Sequence, residues 1–295
     1  MAKPVVAVIG AGRAGSALAL ALAGAGYRVA GVASRTPASA ARLAGRLGCP
    51  ATTRPEEITR AGNVVLIAVP DRAVGDVAAD VAARGGFGRG QKVLHVSGAL
   101  PAEVLAPARA AGAAVGALHP LQTLAGTDDD VGALRGCYFA VEGDAAAVAV
   151  AEEMARDLGG IPFRLAPGSK PLYHAAACVA SNYLVALLDL AARMAEACGL
   201  PREEAVRALL PLVEGTVANI RRLGVPGALT GPVSRGDVPT LRAHLAALAD
   251  HPGWRTLYAL LGRHTVAAAR AQGSVTAAEA AEMTKIFNEV AGVHG

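Results

Sequence analysis

Aromatic residues are scarce in this chain. They make up 3% of its 295 residues, while hydrophobic residues as a group reach 53%. Alanine, valine and leucine must therefore supply most of the buried surface, and helices built from such side chains are expected to pack closely. A chain of this length has room for two domains with a sizeable core.

Paired cysteines and clustered basic charge are also missing. The four cysteines are far apart and show no spacing typical of metal ligands or of a redox pair, so we predict reduced thiols, no metal site and a cytoplasmic protein. The net charge is +4, but the basic residues are dispersed, and Arg221 and Arg222 are their only adjacent pair. This distribution predicts no nucleic-acid partner. A mild positive balance suits anionic ligands instead.

No segment has the sequence pattern of a membrane span or of a cleavable signal. No uncharged stretch beyond the N-terminal region is longer than residues 171–188, which contain His174, Ser181 and Asn182. These polar side chains favour a buried helix, because a membrane-spanning helix needs a nearly uninterrupted apolar run. The chain enters a strand-like run within a few residues of its start, without a signal-peptide pattern. We therefore expect no membrane partner.

The most informative feature that is present is a glycine-rich turn near the N-terminus. The apolar run of residues 5–9 leads into three spaced glycines, and an alanine- and leucine-rich helix follows. In a dinucleotide-binding turn the first glycine allows the bend, the second lets the backbone approach a pyrophosphate, and the third lets the helix pack on the strand. The helix N-terminus then favours the anion. The predicted cofactor-binding residues here are Gly10, Ala11, Gly12, Arg13, Ala14 and Gly15.

The end of the second predicted strand indicates which dinucleotide is bound. An Asp or Glu at this point usually binds the free ribose hydroxyls of NAD(H). Here the strand at residues 28–33 is followed by Ser34, Arg35 and Thr36, and a guanidinium beside two hydroxyls suits a phosphate group. We therefore predict NADP(H) in preference to NAD(H). The alternative is that Arg35 is an ordinary surface residue.

Strand-like runs alternate with helical segments through the first half of the chain. They lie at residues 5–9, 28–33, 64–69, 92–96, 115–118, 137–141 and 161–165, with a short piece near 51–53. This alternation predicts βαβ units and a largely parallel sheet. Only helical periodicity follows, at about 170–198, 202–221, 238–249, 254–271 and 276–290. The predicted fold class is α/β, with a doubly wound Rossmann-like domain at residues 1–166 and an all-α domain at 167–295.

Small and polar side chains follow three neighbouring strands of the predicted sheet. Ligands of open parallel sheets bind outside the carboxyl ends of the strands. We therefore expect Val69, Pro70 and Ser97 to lie along the nicotinamide, Gly98 to border the substrate, and His119 to be a candidate catalytic group. The alternatives are a turn or cap role for Ser97 and a structural role for His119.

A long helix at the start of the second predicted domain carries a polar stripe. At about 100° per residue, Lys170, His174 and Ser181 share one face, and Asn182 lies beside it. We interpret Lys170 or His174 as the proton donor, and Ser181 and Asn182 as groups that hold the substrate. Alternatively, Lys170 is solvated and His174 is a satisfied core residue. In the later loop at residues 228–237, Arg235 suits a substrate carboxylate, or the loop is a plain connection.

These segments together resemble a family of short-subunit, dehydrogenase-like oxidoreductases, in which a Rossmann-like domain precedes a C-terminal domain of unknown function numbered 2520. The matching segments span nearly the whole chain, at residues 10–15, 95–98, 118–123, 173–177, 181–184, 228–232 and 235–237. The layout is more distantly similar to the superfamily of 6-phosphogluconate and β-hydroxyacid dehydrogenases, to pyrroline-5-carboxylate reductase and to ketopantoate reductase. The His119 and Pro120 pair is similar to the His-Pro of prephenate dehydrogenases.

The similarity to β-hydroxyacid dehydrogenases implies roles for two segments. In that family a Ser-Gly-Gly segment binds substrate, and a Lys-x-x-x-Asn pair on the interdomain helix does acid/base work. The corresponding positions here are residues 97–99 and the pair Lys170 and His174. Because His174 stands in place of asparagine and Ala99 in place of glycine, the substrate of those relatives does not carry over.

The residues and the resemblance together predict an NADP(H)-dependent oxidoreductase that reduces a small carbonyl group. The expected substrate is a 2-oxo acid such as ketopantoate, oriented by Ser97 and Asn182 and paired through its carboxylate with Arg235. The alternatives are an imine reductase, a deazaflavin:NADP oxidoreductase, and a non-catalytic sensor of NADP(H). The resemblance further implies a homodimer formed through the helical domain.

Overall fold

The chain divides into two compact units, Met1–Asn182 and Tyr183–Gly295. The computed structural model describes residues 2–292. The predicted boundary between residues 166 and 167 marks the change from sheet to helices, whereas the division of the structure follows Asn182, so that one more helix is grouped with the sheet.

The first unit is built on one sheet of eight strands. In chain order these are β1 (Val6–Ile9), β2 (Val29–Ala33), β3 (Ala51–Thr52), β4 (Val64–Ile67), β5 (Lys92–His95), β6 (Ala114–Pro120), β7 (Tyr138–Gly143) and β8 (Ile161–Arg164). Their spatial order is β3-β2-β1-β4-β5-β6-β7-β8. All neighbours pair in parallel except β6 and β7. The predicted α/β class and the largely parallel sheet are therefore confirmed.

Helices of this unit connect the strands across both faces of the sheet. They are α1 (Arg13–Gly24), α2 (Pro37–Leu47), α3 (Glu56–Thr59), α4 (Asp71–Ala83), α5 (Ala106–Ala110), α6 (Asp130–Ala133), α7 (Ala145–Asp157) and α8 (Lys170–Ala180). Between β6 and β7 stands only the four-residue α6, which is too short for a parallel crossover, and there the chain reverses direction.

The core of the first unit lies on both sides of the sheet. All four residues of β1 are buried, and they alternate between two hydrophobic clusters, with Val6 and Val8 in one and Ala7 and Ile9 in the other. A strand that is apolar on both faces is what a parallel sheet covered by helices requires. In consequence the carboxyl ends of β1, β4, β5 and β6 lie along one edge, where ligands of such sheets bind.

The second unit is helical. It contains most of α9 (Asn182–Ala197), then α10 (Arg202–Gly227), α11 (Val238–Ala247), α12 (Pro252–Gln272) and α13 (Ala277–Ala291). Its core joins α11, α12 and α13, and Phe287 packs so closely on Gly262 that a side chain at 262 would meet the aromatic ring. The last helix begins with a capping box between Thr276 and Glu279, which satisfies backbone N–H groups at its start.

One predicted helix is interrupted, and another continues past its predicted end and is kinked there. The helix predicted at 170–198 breaks at Ser181, whose φ of −116° and ψ of −68° separate α8 from α9. The polar stripe with Ser181 on it and Asn182 beside it was predicted for one continuous helix, whereas the structure places Ser181 at the break between two helices. The kink in α10 lies at Gly224, where φ is 75°, and Pro226 follows two residues later.

The predicted burial of residues 171–188 is also wrong. Within residues 2–292, Lys170–Ala197 is the one stretch that is long and apolar enough to cross a membrane, judged by length and composition alone. Its mean hydropathy over the most apolar window is 1.6, yet only 6% of that window is buried. Leu172 and Val185, for example, are 77% and 70% exposed.

Candidate active site

The three spaced glycines of the first turn have different surroundings. Gly10 has a φ of +110°, and a Cβ there would clash with the Ala68 carbonyl. A Cβ at Gly15 would clash with the Gly10 carbonyl, so this glycine lets α1 pack on the turn. A Cβ at Gly12, in contrast, would meet nothing within 4 Å. Open space above Gly12, at the N-terminus of α1, is what a pyrophosphate requires.

A cleft of about 670 Å³ opens above this turn, within the first unit. Among the predicted cofactor residues, those that line it are Gly10, Ala11, Gly12, Ser34, Arg35, Thr36, Val69 and Pro70. Four predicted residues are not part of the lining: Arg13, Ala14, Gly15 and Ser97. Gly15 is buried beneath the turn and Ala14 packs against the core of the sheet, so both support the turn from behind.

Several residues that line the cleft were not predicted from the sequence. They are Ser39, Thr53, Arg54, Glu56, Arg72, Asp80 and Arg84, among others. Glu56 is 7% exposed, and it accepts a hydrogen bond from Arg54 Nε at 3.2 Å and lies 3.6 Å from Arg84. Their order along the chain could have predicted them, because Arg54 follows β3 and Arg72 follows Pro70 after β4, and residues after the strands lie at the ligand-binding edge of the sheet. The cleft therefore holds three arginines besides Arg35.

Ser97 is held in a tight backbone arrangement after β5. Its N–H donates to His95 Nδ1 at 3.2 Å, and its Oγ accepts the N–H groups of Ala99 and Leu100, both at 3.1 Å. The residue is 6% exposed. This geometry matches the turn or cap role that the sequence left open for Ser97, with the hydroxyl proton still available to donate.

Lys170 is fully buried at the start of α8. Its Nζ donates to the Ser97 carbonyl oxygen at 2.5 Å. Burial lowers the pKa of Lys170 to about 8, and the carboxylates of Glu142 and Asp71 act in the opposite direction. The alternative of a solvated Lys170 is therefore wrong. The ammonium is directed at a backbone carbonyl.

His119 and His174 lie beside one another. Their ring centroids are 6.2 Å apart, with the rings 80° to each other. Burial, together with the nearby Lys170 and His174, lowers the pKa of His119 to about 4, so its imidazole is neutral at pH 7. His119 Nδ1 is 2.8 Å from the Tyr173 hydroxyl, and burial raises the pKa of that phenol to about 12. If the retained phenol proton is donated to Nδ1, His119 Nε2 carries an N–H.

The two imidazoles meet at Gly98. A Cβ placed on this glycine would lie 2.6 Å from His174 Nδ1 and 2.7 Å from His119 Nε2. His174 Nδ1 is buried and has no hydrogen-bond partner. A buried ring nitrogen without a partner is uncommon in native proteins. Both imidazoles therefore pack directly on Gly98, and the unmatched Nδ1 of His174 is a hydrogen-bonding group that a ligand atom could satisfy.

The remaining predicted substrate residues are not part of this cluster. Ser181 lies in the break between α8 and α9, and Asn182 is the exposed first residue of α9. Arg235 is exposed at the end of a short 3₁₀ helix, Val233–Arg235, of the second unit. His95 was not predicted, but it is fully buried beneath Ser97, and burial lowers its pKa to about 3. Within residues 2–292, no three His, Cys, Asp or Glu side chains are grouped as metal ligands.

Two family descriptions match this chain. Residues 1–120 match a Rossmann-like domain, and residues 137–265 match a domain of unknown function, DUF2520. A comparison with curated proteins returns no match.

Solved structures share the fold. A candidate NADP oxidoreductase from Bacteroides fragilis is 26% identical, with a TM-score of 0.71 over 89% of this chain and 98% of that one. A reductive aminase from Aspergillus terreus, in complex with NADPH and ethyl-5-oxohexanoate, is 18% identical, with a TM-score of 0.60 over 97% and 93%. An imine reductase variant from Myxococcus stipitatus with NAD+ is 20% identical, with a TM-score of 0.53 over 97% and 93%. The two family matches and the shared fold thus identify a Rossmann-like region at residues 1–120, followed by a region similar to DUF2520 at residues 137–265.

Proposed function

We propose that this protein is an NADP(H)-dependent reductase of a small carbonyl compound, with a 2-oxo acid as the expected substrate class. The observation that carries the proposal is the pair of imidazole nitrogens at Gly98, close to the carboxyl ends of β5 and β6. The dinucleotide cleft opens at the carboxyl ends of the neighbouring strands. The predicted enzyme class, a dehydrogenase or reductase, agrees with the oxidoreductase names of the similar structures.

The cleft residues suit NADP(H). The open space above Gly12 fits a pyrophosphate, and Ser34, Arg35 and Thr36 supply two hydroxyls and a guanidinium at the end of β2. Thr36 is the N-cap of α2 but makes no capping hydrogen bond to the backbone, so N–H groups of this helix start stay free for an anion. The preference over NAD(H) rests on this chemistry, since similar folds carry either dinucleotide.

The proton for the product oxygen comes from the imidazole pair in this proposal. Bound NADPH supplies the hydride. His119 Nε2–H and His174 then face the oxygen on which negative charge develops, and a positioned acid of this kind contributes typically about 10²- to 10⁴-fold. His174, with its unpartnered Nδ1, is the proton donor, and His119 holds the oxygen as a neutral hydrogen-bond donor. Tyr173 fixes the orientation of the His119 ring.

The charges around Gly98 favour a carbonyl over a protonated imine. Lys170 contributes a positive charge beneath the loop, and the neutral His119 imidazole above it can donate a hydrogen bond to an oxygen. A hydrogen-bond donor stabilises an oxygen that gains negative charge and has no corresponding interaction with an iminium nitrogen. The imine alternative is favoured by the similar structures, which include reductive aminase, imine reductases and pyrroline-5-carboxylate reductases. The roles of Asn182 and Arg235 stay predictions.

We further propose that the protein is a homodimer through its helical unit. Only one residue of α9 and one of α10 are buried, Ala192 and Ala205, although both helices are rich in aliphatic side chains. Exposed apolar side chains on them include Tyr183, Leu184, Val185, Leu210, Leu212, Val217, Ile220, Leu223 and Val225. Exposed apolar side chains in this number on two helices mark a surface that binds a partner. A second copy of the chain presents the same apolar faces, so that pairing of the two copies buries the faces of both. Burial of α9 in lipid is unfavourable, because the helix carries the charged side chains of Asp189, Arg193 and Glu196.

Deuteride transfer tests the function directly. The purified protein is incubated with NADPH carrying deuterium at the nicotinamide C4, together with a panel of 2-oxo acids, simple ketones and cyclic imines. We expect deuterium at the former carbonyl carbon of at least one 2-oxo acid, and from only one of the two C4 positions. Transfer to cyclic imines alone would support the imine reductase instead, and transfer to none of the three classes would contradict the proposed reaction.

A further inference from the structure

A group of buried ionisable side chains lies beneath the loop at residues 97–102, the loop that carries Gly98. Lys170 and His95 are fully buried, and Glu142 of β7 is 9% exposed. None of the three lines the dinucleotide cleft. Burying a lysine, a glutamate and a histidine is unfavourable unless each has partners, so their positions require an explanation.

These side chains hold the loop at both ends. At its start, Lys170 Nζ donates to the Ser97 carbonyl oxygen, and the Ser97 N–H donates to His95 Nδ1. At its end, Glu142 Oε1 accepts the N–H of Ala102 at 2.8 Å. Side chains from β5, β7 and α8 therefore fix the backbone on either side of Gly98.

Charged groups act on Lys170 from several elements. The Glu142 carboxylate of β7 and the Asp71 carboxylate of α4 raise the pKa of Lys170 against the effect of burial. Lys170 in turn acts on His95 of β5 and His119 of β6, and burial lowers the pKa values of these imidazoles to about 3 and about 4. Both rings are therefore neutral at pH 7.

We propose that Glu142 and Lys170 act as a positioning pair: Lys170 holds the 97–102 loop at Ser97 and Glu142 holds it at Ala102, so that Gly98 faces the two imidazoles, and the hold at Ser97 depends on the charged ammonium of Lys170. Lys170 then acts through the loop and does not donate the proton to the product. The catalytic consequence rests on the proposed function, whereas the hold on the loop is a property of the protein without cofactor or substrate.

The ionisation of Lys170 is measured directly by NMR, since the chain has only four lysines, Lys3, Lys92, Lys170 and Lys285. The protein is labelled with ¹³C-lysine and titrated with and without Glu142→Gln. This change keeps an oxygen that accepts from Ala102 and removes the charge. We expect the midpoint of Lys170 to fall by about one pH unit, the smaller end of the effect of a nearby opposite charge. An unchanged midpoint would overturn the proposal.

The hold on the loop is measured on the same cofactor-free samples. We expect the backbone amide signals of Gly98 and Ala102 to move with pH at the Lys170 midpoint, and to follow that midpoint when it falls in Glu142→Gln. Asp76→Asn, at an exposed carboxylate of α4, is the matched control and leaves both midpoints in place. If these amide signals do not shift at the pH where Lys170 titrates, the charge of Lys170 does not position the loop.

A pH profile of kcat/KM separates this proposal from the proposed function. With a reducible substrate, both the proton donor His174 and Lys170 contribute to the loss of activity at alkaline pH, and the Lys170 contribution should move to lower pH in Glu142→Gln by the same amount as the Lys170 midpoint. An alkaline limb that stays in place would contradict the positioning role even if the enzyme is an active reductase. If the amide signals of Gly98 and Ala102 follow the Lys170 midpoint but the protein has no reductase activity, the positioning of the loop by Lys170 is supported and the proposed function is refuted.

Discussion

Gly98 is the residue whose replacement tests the site most locally. An added methyl group would lie 2.6 Å from His174 Nδ1 and 2.7 Å from His119 Nε2, closer than real Cβ contacts. We expect Gly98→Ala to lower kcat/KM by about 10²-fold or more, because the added methyl group displaces both imidazoles from the positions in which they act. Affinity for NADPH should stay unchanged, since Gly98 does not line the cleft.

Gly88→Ala is the matched control for that change. A Cβ at Gly88 meets nothing within 4 Å, and we expect wild-type kinetics from this variant. Equal activity in Gly98→Ala and Gly88→Ala would mean that substrate does not bind beside the two histidines.

Arg35 tests the choice of cofactor. It is an exposed side chain that lines the cleft at the end of β2. Losing a charged hydrogen bond to the 2′-phosphate should weaken NADPH binding by about 2 kcal/mol, or roughly 30-fold, and leave NADH binding nearly unchanged. Calorimetry with both dinucleotides measures this, with Arg42→Ala on the exposed side of α2 as the control. An equal loss for NADPH and NADH would refute the phosphate role.

His174 tests the assignment of the proton donor. We expect His174→Ala to lower kcat by about 10²- to 10⁴-fold while the dissociation constant for NADPH stays the same, because the imidazole faces Gly98 and not the cleft. Pre-steady-state and steady-state kinetics together separate this effect from slow product release. Turnover equal to that of the wild type would remove His174 from the mechanism.

At the scale of elements, the capping box of α13 offers a test of stability that does not involve chemistry. Thr276 Oγ1 accepts the Glu279 N–H, and the Glu279 carboxylate accepts the Thr276 N–H. We expect Thr276→Ala to lower the free energy of unfolding of the helical unit by about 1 kcal/mol. Urea unfolding followed by circular dichroism measures it, with Thr284→Ala in the middle of the same helix as a comparison. A larger loss from Thr284→Ala would contradict the cap.

Local patterns in the sequence are enough to predict most elements of this fold. The glycine turn and the strand runs depend on residues close in sequence, and β1 and α1 follow them closely. The break at Ser181 has no such signal, since neither glycine nor proline stands there. A helical wheel therefore places Ser181 and Asn182 on a face that the backbone does not continue.

The candidate site divides in the same way. Ser34, Arg35 and Thr36 follow directly after a strand, so their place in the cleft is predictable from order along the chain. The burial of Lys170 against Ser97 is not, because 73 residues separate the two. Glu142 belongs to a strand that reverses direction, and no motif marks it. Contacts made by packing between distant segments require the folded structure.

At the scale of the whole molecule, the exposed aliphatic surface of α9 and α10 predicts association. We expect sedimentation to give the mass of a dimer, and Leu212→Glu, which places a charge at a side chain 67% exposed in the single chain, to shift it toward monomer. Arg207→Glu, at an exposed basic position of the same helix, is the matched control. A wild-type protein that sediments as a monomer at micromolar concentration would contradict the proposed dimer.

The central claim is that the cleft above Gly12 binds a phosphorylated dinucleotide, and that the groups around Gly98 act at its reactive end. Titration calorimetry of the purified wild-type protein with NADPH and NADH tests whether the cleft binds a dinucleotide, and the proposed reaction depends on that binding. The account predicts a single site per chain, with NADPH bound at least about tenfold more tightly than NADH. No measurable heat or binding with either dinucleotide would contradict it.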